Sequence, residues 1–559
     1  MKKLISLLLA LSVPAMVFTA CAQQKSDEAE VEITGITLSD SGVLVGGNPA
    51  STDPSSAVYV SNDIVFYLEG QGADYGEGEA DDGHSQAEAD SHTVINITQP
   101  GHYVVTGSIS KGQIAVNLGK GAKKNPDAVV DIVLNDADIT CTVAPAIVCY
   151  KAYECGDDGT DTATKDVDTS AAGFNITLAD GSVNNITGSH VAKIYEPGTT
   201  DKLHKYDAAI ESMVSMNIYG TDGVLNLTSD NEGIETKLHM TVHGGEININ
   251  SADDALNAGE DGVSVITIND GTVLANSNNG KEGDGIDSNG WLVINGGSVS
   301  AFGNRNSMDS GLDSDNGIYI NGGTVFSTGN MYDNVAAGSR QTFTVLGFGT
   351  AVETDRCVVL VSSQGENFTA LHSVAGGTNW VYSSPALVPD RYTVYKTDSV
   401  EGTAVNGVYK DITATGTLTQ LGHLGGNIAG RPAMKGQAPE NMPQGNMPQG
   451  EIPQGNMPQG EMPQGEMPQG NMPQGEIAQG NMPQGEIPQG NMPPAGMKPE
   501  NMMPEGRPEK PADNNMQPPQ GFAPPQHTGG VAQIIGVLQP VFTVEKGANM
   551  FMGITEYTE

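Results

Sequence analysis

The chain has 559 residues and a formal net charge of −41, from 67 acidic side chains against 26 Lys and Arg. That balance excludes nucleic acid and anionic membrane surfaces as natural partners. With 72 glycines and only 5% aromatics, the composition suits closely spaced β turns rather than a conventional globular core.

Residues 1–20 open on Lys2-Lys3, continue through an apolar run and end before Cys21 in Phe18-Thr19-Ala20. This reads as a secretory signal peptide followed by a lipobox-like site, with Cys21 the lipidation residue and 21–32 a polar tether. Phe18 stands where Leu is more usual, and ordinary signal-peptidase cleavage nearby is the alternative. The expectation is an exported, membrane-anchored lipoprotein, at the outer membrane or cell surface.

From residue 33 alternating strands begin: HTVINITQPGHYVVTGSISKGQIAVNLG, then VVDIVLNDADIT (129–140) and FNITLADGSVNNI (174–186). An acidic, glycine-rich insertion from Gly70 to Asp90 is expected as a loop outside the strands. Cys141, Cys149, Cys155 and Cys357 remain after Cys21. In an exported chain a Cys149–Cys155 or Cys141–Cys149 bridge would staple the insertion Ala152 to Gly173. Their spacings of 8 and 6, with no CxxC, argue against zinc.

Between Asp207 and Val325 one sentence is written five times. Its first half is MNIYGTDGVLNL, MTVHGGEININ, ITINDGTVLAN, LVINGGSVSAF and IYINGGTVFST, with Ile218, Val242, Ile268, Ile294 and Ile320 in the inward position. The steps, taken as differences in residue number, are 24, 26, 26 and 26. The second half is DAAIES, NEGIET, DDALNA, GDGIDS and DSGLDS, centred on Ile210, Ile234, Leu256, Ile286 and Leu312. A period of this length, built from short alternating strands with Gly/Asn/Asp corners and no i, i+3, i+4 pattern, predicts a solenoid of strands. The fold expected over 33–339 is an all-β, right-handed, single-stranded parallel β-helix. Asn269, Asn295 and Asn321 fall in one column and read as a structural ladder.

An acidic column accompanies the repeats: Asp207, Glu211, Glu232, Glu235, Asp253, Asp254, Asp284, Asp287, Asp309 and Asp313. Stacked charges about 4.8 Å apart repel by about 1 kcal/mol per pair even in water. Lys237, Lys281 and Arg305 are the cations within the repeats, too few to neutralise the column. Calcium fits, because one ion with Ca–O distances of about 2.3–2.6 Å bridges oxygens about 5 Å apart. A solvated acidic face is the plainer alternative.

Residues 340–428 lose the period and read as a β cap covering the open end of the solenoid. Residues 429–530 carry the pentapeptide [NE]-[MI]-P-Q-G and read as a disordered Pro/Gly/Met/Gln-rich tail. Its thioethers are candidate Cu(I) ligands, but a flexible spacer explains them more simply. Residues 531–559 return to strand-like sequence, suited to docking on the body or on a partner.

GQIAVNLG (112–119), DIVLNDADIT (131–140), DAAIES, NEGIET, EGDGIDS, DSGLDS and the INGG corners together resemble the bacterial calcium-binding, carbohydrate-binding β-helix proteins, over roughly Val31 to Gly425. That resemblance implies a pectate-lyase-like fold, calcium between the coils and binding of acidic or plant-type polysaccharide; the expected role is non-catalytic binding. Tyr219, Trp291, Tyr319, Tyr332 and Trp380 are the candidate sugar platforms. A calcium-dependent lyase, with Arg305 or Lys281 as general base, is the rival from another class. An adhesin or matrix protein is a third reading.

Overall fold

The computed structural model describes residues 33–365, 368–424 and 537–558. The expected signal peptide (1–20), Cys21, the expected tether and the 429–530 segment lie outside the described residues.

The protein is nearly all-β, and its repeats are built as three parallel ladders. One round of chain supplies a strand to each. Glu232–Thr236 is followed by His239–Val242 and then by Glu246–Asn250, and each pairs in parallel with its counterpart one round later. The register is the one the repeats dictate. Ile218, Val242, Ile268, Ile294 and Ile320 are successive partners in one ladder. Ile210, Ile234, Leu256 and Ile286 are successive partners in another, continued by a bridge to Leu312. The first five of these side chains are fully buried. Each contributes about 1.5–3 kcal/mol by leaving water, so the columns supply most of the stability.

Corner chemistry explains why the rounds stack so closely. Gly271, Gly297 and Gly323 have φ of +101°, +76° and +81°, and a Cβ on any of them would lie 2.5–2.7 Å from a carbonyl oxygen of the round before. Only glycine meets both demands. Beside these corners Asn295 donates to Asn269, and Asn321 to Asn295, each at 2.9 Å.

The sheets are mixed rather than parallel throughout. Val58–Ser61 pairs antiparallel at the N-terminal edge, and the C-terminal block is largely antiparallel. Gly377–Ser383 closes over the last repeat strand, Thr324–Gly329, around a second core in which Phe302, Phe326, Phe348 and Trp380 meet edge to face at 5.3–5.6 Å. The C-terminal segment returns to this block: Ala548–Glu556 runs parallel to Phe343–Val352 and antiparallel to Thr419–Leu424.

Two expectations need correction, and a third is refined. All four described cysteines are free, because Cys141 and Cys149 point into the apolar interior, where packing rather than bridging holds them. The Gly70–Asp90 insertion lies outside the parallel ladders, as expected, and is packed against the body. It bonds to the antiparallel hairpin Val191–Tyr195/Lys202–Tyr206 through Glu77 N–H to Lys193 O at 2.8 Å and Tyr195 N–H to Tyr75 O at 2.6 Å. Trp380 is fully buried, which removes it as a sugar platform.

Candidate functional site

The acidic column lies on the ladder of Ala208–Ser212, Glu232–Thr236, Leu256–Ala258 and Ile286–Ser288, and on the turns that lead into those strands. Alternation along each strand puts the Ile/Leu inward and the following residue outward. Glu211, Glu235, Asn257 and Asp287 are therefore successive partners in register.

The structure gathers the candidate ligands into two clusters. In the first, carboxylate oxygens of Asp207, Glu232 and Glu235 lie within 4.8 Å of one another. Glu211 joins it through a hydrogen bond with Glu235. In the second, the same holds for Asp284, Asp287 and Asp313, and Asp254 accepts the Asp284 amide at 2.6 Å. Asp253 and Asp309 fall outside both groups. Asp309 instead accepts the Gly283 amide at 2.6 Å.

Desolvation sets the electrostatics. Burial, then the charge of Glu235, pushes the Glu211 and Glu232 carboxyls well above their usual range. Burial and the charge of Asp207 raise Glu235, and burial with the charge of Asp253 raises Asp254 far. Burial and the charge of Glu282 raise Asp253. Asp284 is pushed up to about 8 by burial and by Asp313, against the Ser310 amide that favours its ionised form. Carboxyls in this state either hold protons at neutral pH or share a cation.

One partner was not legible in the repeats. Lys205, on the hairpin strand Lys202–Tyr206, forms an ion pair with Asp207. The sequence signal was a lysine two residues before the first acid of the column, just outside the repeating unit. Lys237 instead pairs with Glu260 at 3.2 Å. Arg305 and Lys281 are exposed on loops.

The donor set suits a hard divalent cation. Every donor is oxygen, and two polar atoms in the first cluster lack any hydrogen-bond partner. They are Glu232 Oε2 and Asn257 Oδ1, on side chains only 6% and 9% exposed. Asn257 Nδ2 donates to the other Glu232 oxygen at 3.1 Å, so both orphans sit at one junction between rounds. Leaving a buried polar atom unpaired costs about 1–3 kcal/mol, which a coordinated cation would offset.

Residues 91–384, just over half of the chain, match the family described as carbohydrate-binding domain-containing proteins. The chain belongs to that family. The matched span contains both acidic clusters and all five repeats. Among solved structures, that of the polysaccharide lyase-like protein from C. thermocellum (a gadolinium derivative) is similar at 20% identity, covering 55% of this chain and 98% of that one with a TM-score of 0.33. No curated protein matches.

Proposed function

We propose that this chain is a non-catalytic, polysaccharide-binding lipoprotein. Its scaffold is a right-handed, single-stranded parallel β-helix, and calcium between the coils holds the acidic column together. The family match over residues 91–384, spanning the rounds that carry the column, carries the reading. The three parallel ladders support the β-helix, each advancing one strand per round.

Asp207, Glu232, Glu235 and Asn257 would hold one ion, and Asp284, Asp287 and Asp313 another. Bound there, calcium supplies charge neutralisation between rounds. The protein's own part is to fix the carboxylates in register and keep them partly dry. Cys21 would carry the lipid anchor.

The catalytic alternative needs a base that loses its proton readily, which calls for desolvation or a cationic neighbour. Arg305 and Lys281, the candidate bases, both stand exposed on loops. Incubating the chain with polygalacturonate and with neutral glucans, with and without calcium, tests the reading. Retention with no new unsaturated ends in the ultraviolet spectrum is expected. Absorbance that rises and is abolished by EDTA would make the protein a lyase.

A further inference from the structure

A second face of the repeats carries a groove of about 630 Å³ that the acidic column does not share. Its floor is the outward side of the ladder containing His239–Val242, Val265–Ile268 and Trp291–Ile294. The segment around residues 165–170, from the long insertion after Lys151, lies along it as a wall. Thr169 pins one end of that wall. Its hydroxyl is 2.7 Å from Asn217 Oδ1 and 2.6 Å from Thr241 Oγ1, and its carbonyl accepts from Asn217 Nδ2 at 2.8 Å. At the other end the Lys165 ammonium lies 5.3 Å from the centroid of the Tyr319 ring. Thr241, Thr267, Val293 and Tyr319 are successive partners in register. The wall therefore follows the stacking direction over three steps, about 14 Å.

Along the opposite side run Asn269, Asn295 and Asn321. An amide has two N–H donors and two acceptor positions. Asn295 spends one of each on its neighbours, leaving one donor and one acceptor to face outward. Amides recur at this position in three successive rounds, a pattern suited to a polymer with repeating hydroxyls. His243, stacked on Tyr219 at 4.6 Å and 7°, closes one end. Arg340 stands at the other, exposed, and makes no ion pair among the described residues. Two carboxylates also line the groove, Asp166, which pairs with Lys165 at 2.5 Å, and Asp168, which accepts the Ser170 amide at 2.9 Å, so Arg340 is the cation left to meet a ligand anion. In a chain of net charge −41, an unpaired arginine beside a ladder of amides is a specific feature rather than general basicity.

We propose that this groove is the glycan seat. It takes an extended uronate-containing chain along the stacking direction, hydroxyls on the asparagine ladder and a carboxylate on Arg340. This rests on the carbohydrate-binding reading, and it separates the sugar from the acidic column: the column serves the scaffold, and the groove serves the ligand.

The test uses the full chain and its Arg340→Gln, Asn295→Leu and Asp284→Asn variants, measuring affinity for polygalacturonate and for a neutral glucan alongside thermal stability. Arg340→Gln should weaken polygalacturonate binding about tenfold, the loss of one charge-assisted hydrogen bond, and leave melting unchanged. Asn295→Leu should weaken it as much or more, and Asp284→Asn should shift melting in calcium. Wild-type binding that survives both groove substitutions overturns the groove while the carbohydrate reading stands. A loss in Asn295→Leu with none in Arg340→Gln overturns the uronate preference. A wild-type chain that retains neither polymer overturns the carbohydrate reading and the groove together.

Discussion

The two acidic clusters share one ladder yet manage their charge by different means. The first places Lys205 on Asp207, and leaves Glu232 Oε2 and Asn257 Oδ1 orphaned beside the pair. The second turns its carboxylates onto backbone amides of the next round. Asp254 accepts from Asp284 N–H at 2.6 Å, and Asp284 accepts from Ser310 N–H at 2.5 Å. A salt bridge supplied from outside the repeat and hydrogen bonds generated by the repeat are alternative answers to the same stacking problem. The second answer also gives the acidic period a structural use of its own. An Asp at the corner ties one round to the next whether or not a metal is present.

The largest expected effect is on pH dependence without metal, because it acts on both clusters at once. A carboxyl whose folded-state pKa is raised binds more protons folded than unfolded, so stability falls as pH rises between the two values. For Asp284 that window runs from about 4 to about 8, and Glu211, Glu232 and Asp254 are raised in the same direction. In chelator the melting temperature should therefore decline from pH 4 to pH 8, and calcium should remove most of the decline. A flat profile in chelator would show that these carboxyls are solvated as an ordinary acidic surface is.

Lys205→Met separates the clusters. Breaking a fully buried pair costs about 3–5 kcal/mol. Lys205 is 44% exposed and Asp207 9%, so about 2 kcal/mol is expected in chelator. Added calcium should recover more stability in the variant than in wild type, because it takes over the lysine's role. Equal calcium increments in both chains would show that lysine and metal do not share the site. Asp287→Ala with Asp313→Ala is the counterpart for the second cluster. It should lower melting more in calcium than in EDTA, by about 1–2 kcal/mol, the stabilisation a ligand gives at some tens of times its Kd. Equal losses in both media would mean that this cluster holds no metal.

What the sequence made legible follows from periodicity. The Ile/Val/Leu columns, the glycine corners and the asparagine ladder recur at steps of 22 to 30 residues, so their neighbours in space can be counted off. The acidic candidates were found in the same way: six of the ten make up the two clusters, and Glu211 and Asp254 are hydrogen-bonded to them. The features that give the site its character come from segments inserted into the period. Lys205 arrives on the hairpin between Val183–Gly188 and Ala208–Ser212, and Thr169 and Lys165 come from the insertion after Lys151. Ala548–Glu556 pairs with Phe343–Val352 some 200 residues away, across the tail. Contacts of this kind have no repeat to announce them. Trp380 was misplaced for a related reason: the core that buries it is assembled from the last repeat strands and the C-terminal block together.

The hairpin that carries Lys205 has a latch of its own, and it offers the finest test of the difference between the clusters. His190, at the hairpin's start, bridges Asp82 of the Gly70–Asp90 insertion at 3.3 Å and Asp230 at 3.1 Å. Burial lowers its proton affinity, but the Asp230 hydrogen bond and the charges of Asp230, Asp82 and Asp207 outweigh that and raise it. A histidine with a raised folded-state pKa contributes fully below its unfolded value, near 6.5, and loses that contribution as pH rises through the folded value. His190→Gln should accordingly cost up to about 1 kcal/mol at pH 6 and nearly nothing at pH 9. If the latch holds Lys205 on Asp207, the variant should also show part of the enhanced calcium response of Lys205→Met at the lower pH. A normal calcium response there would mean that the hairpin keeps its lysine in place without the insertion.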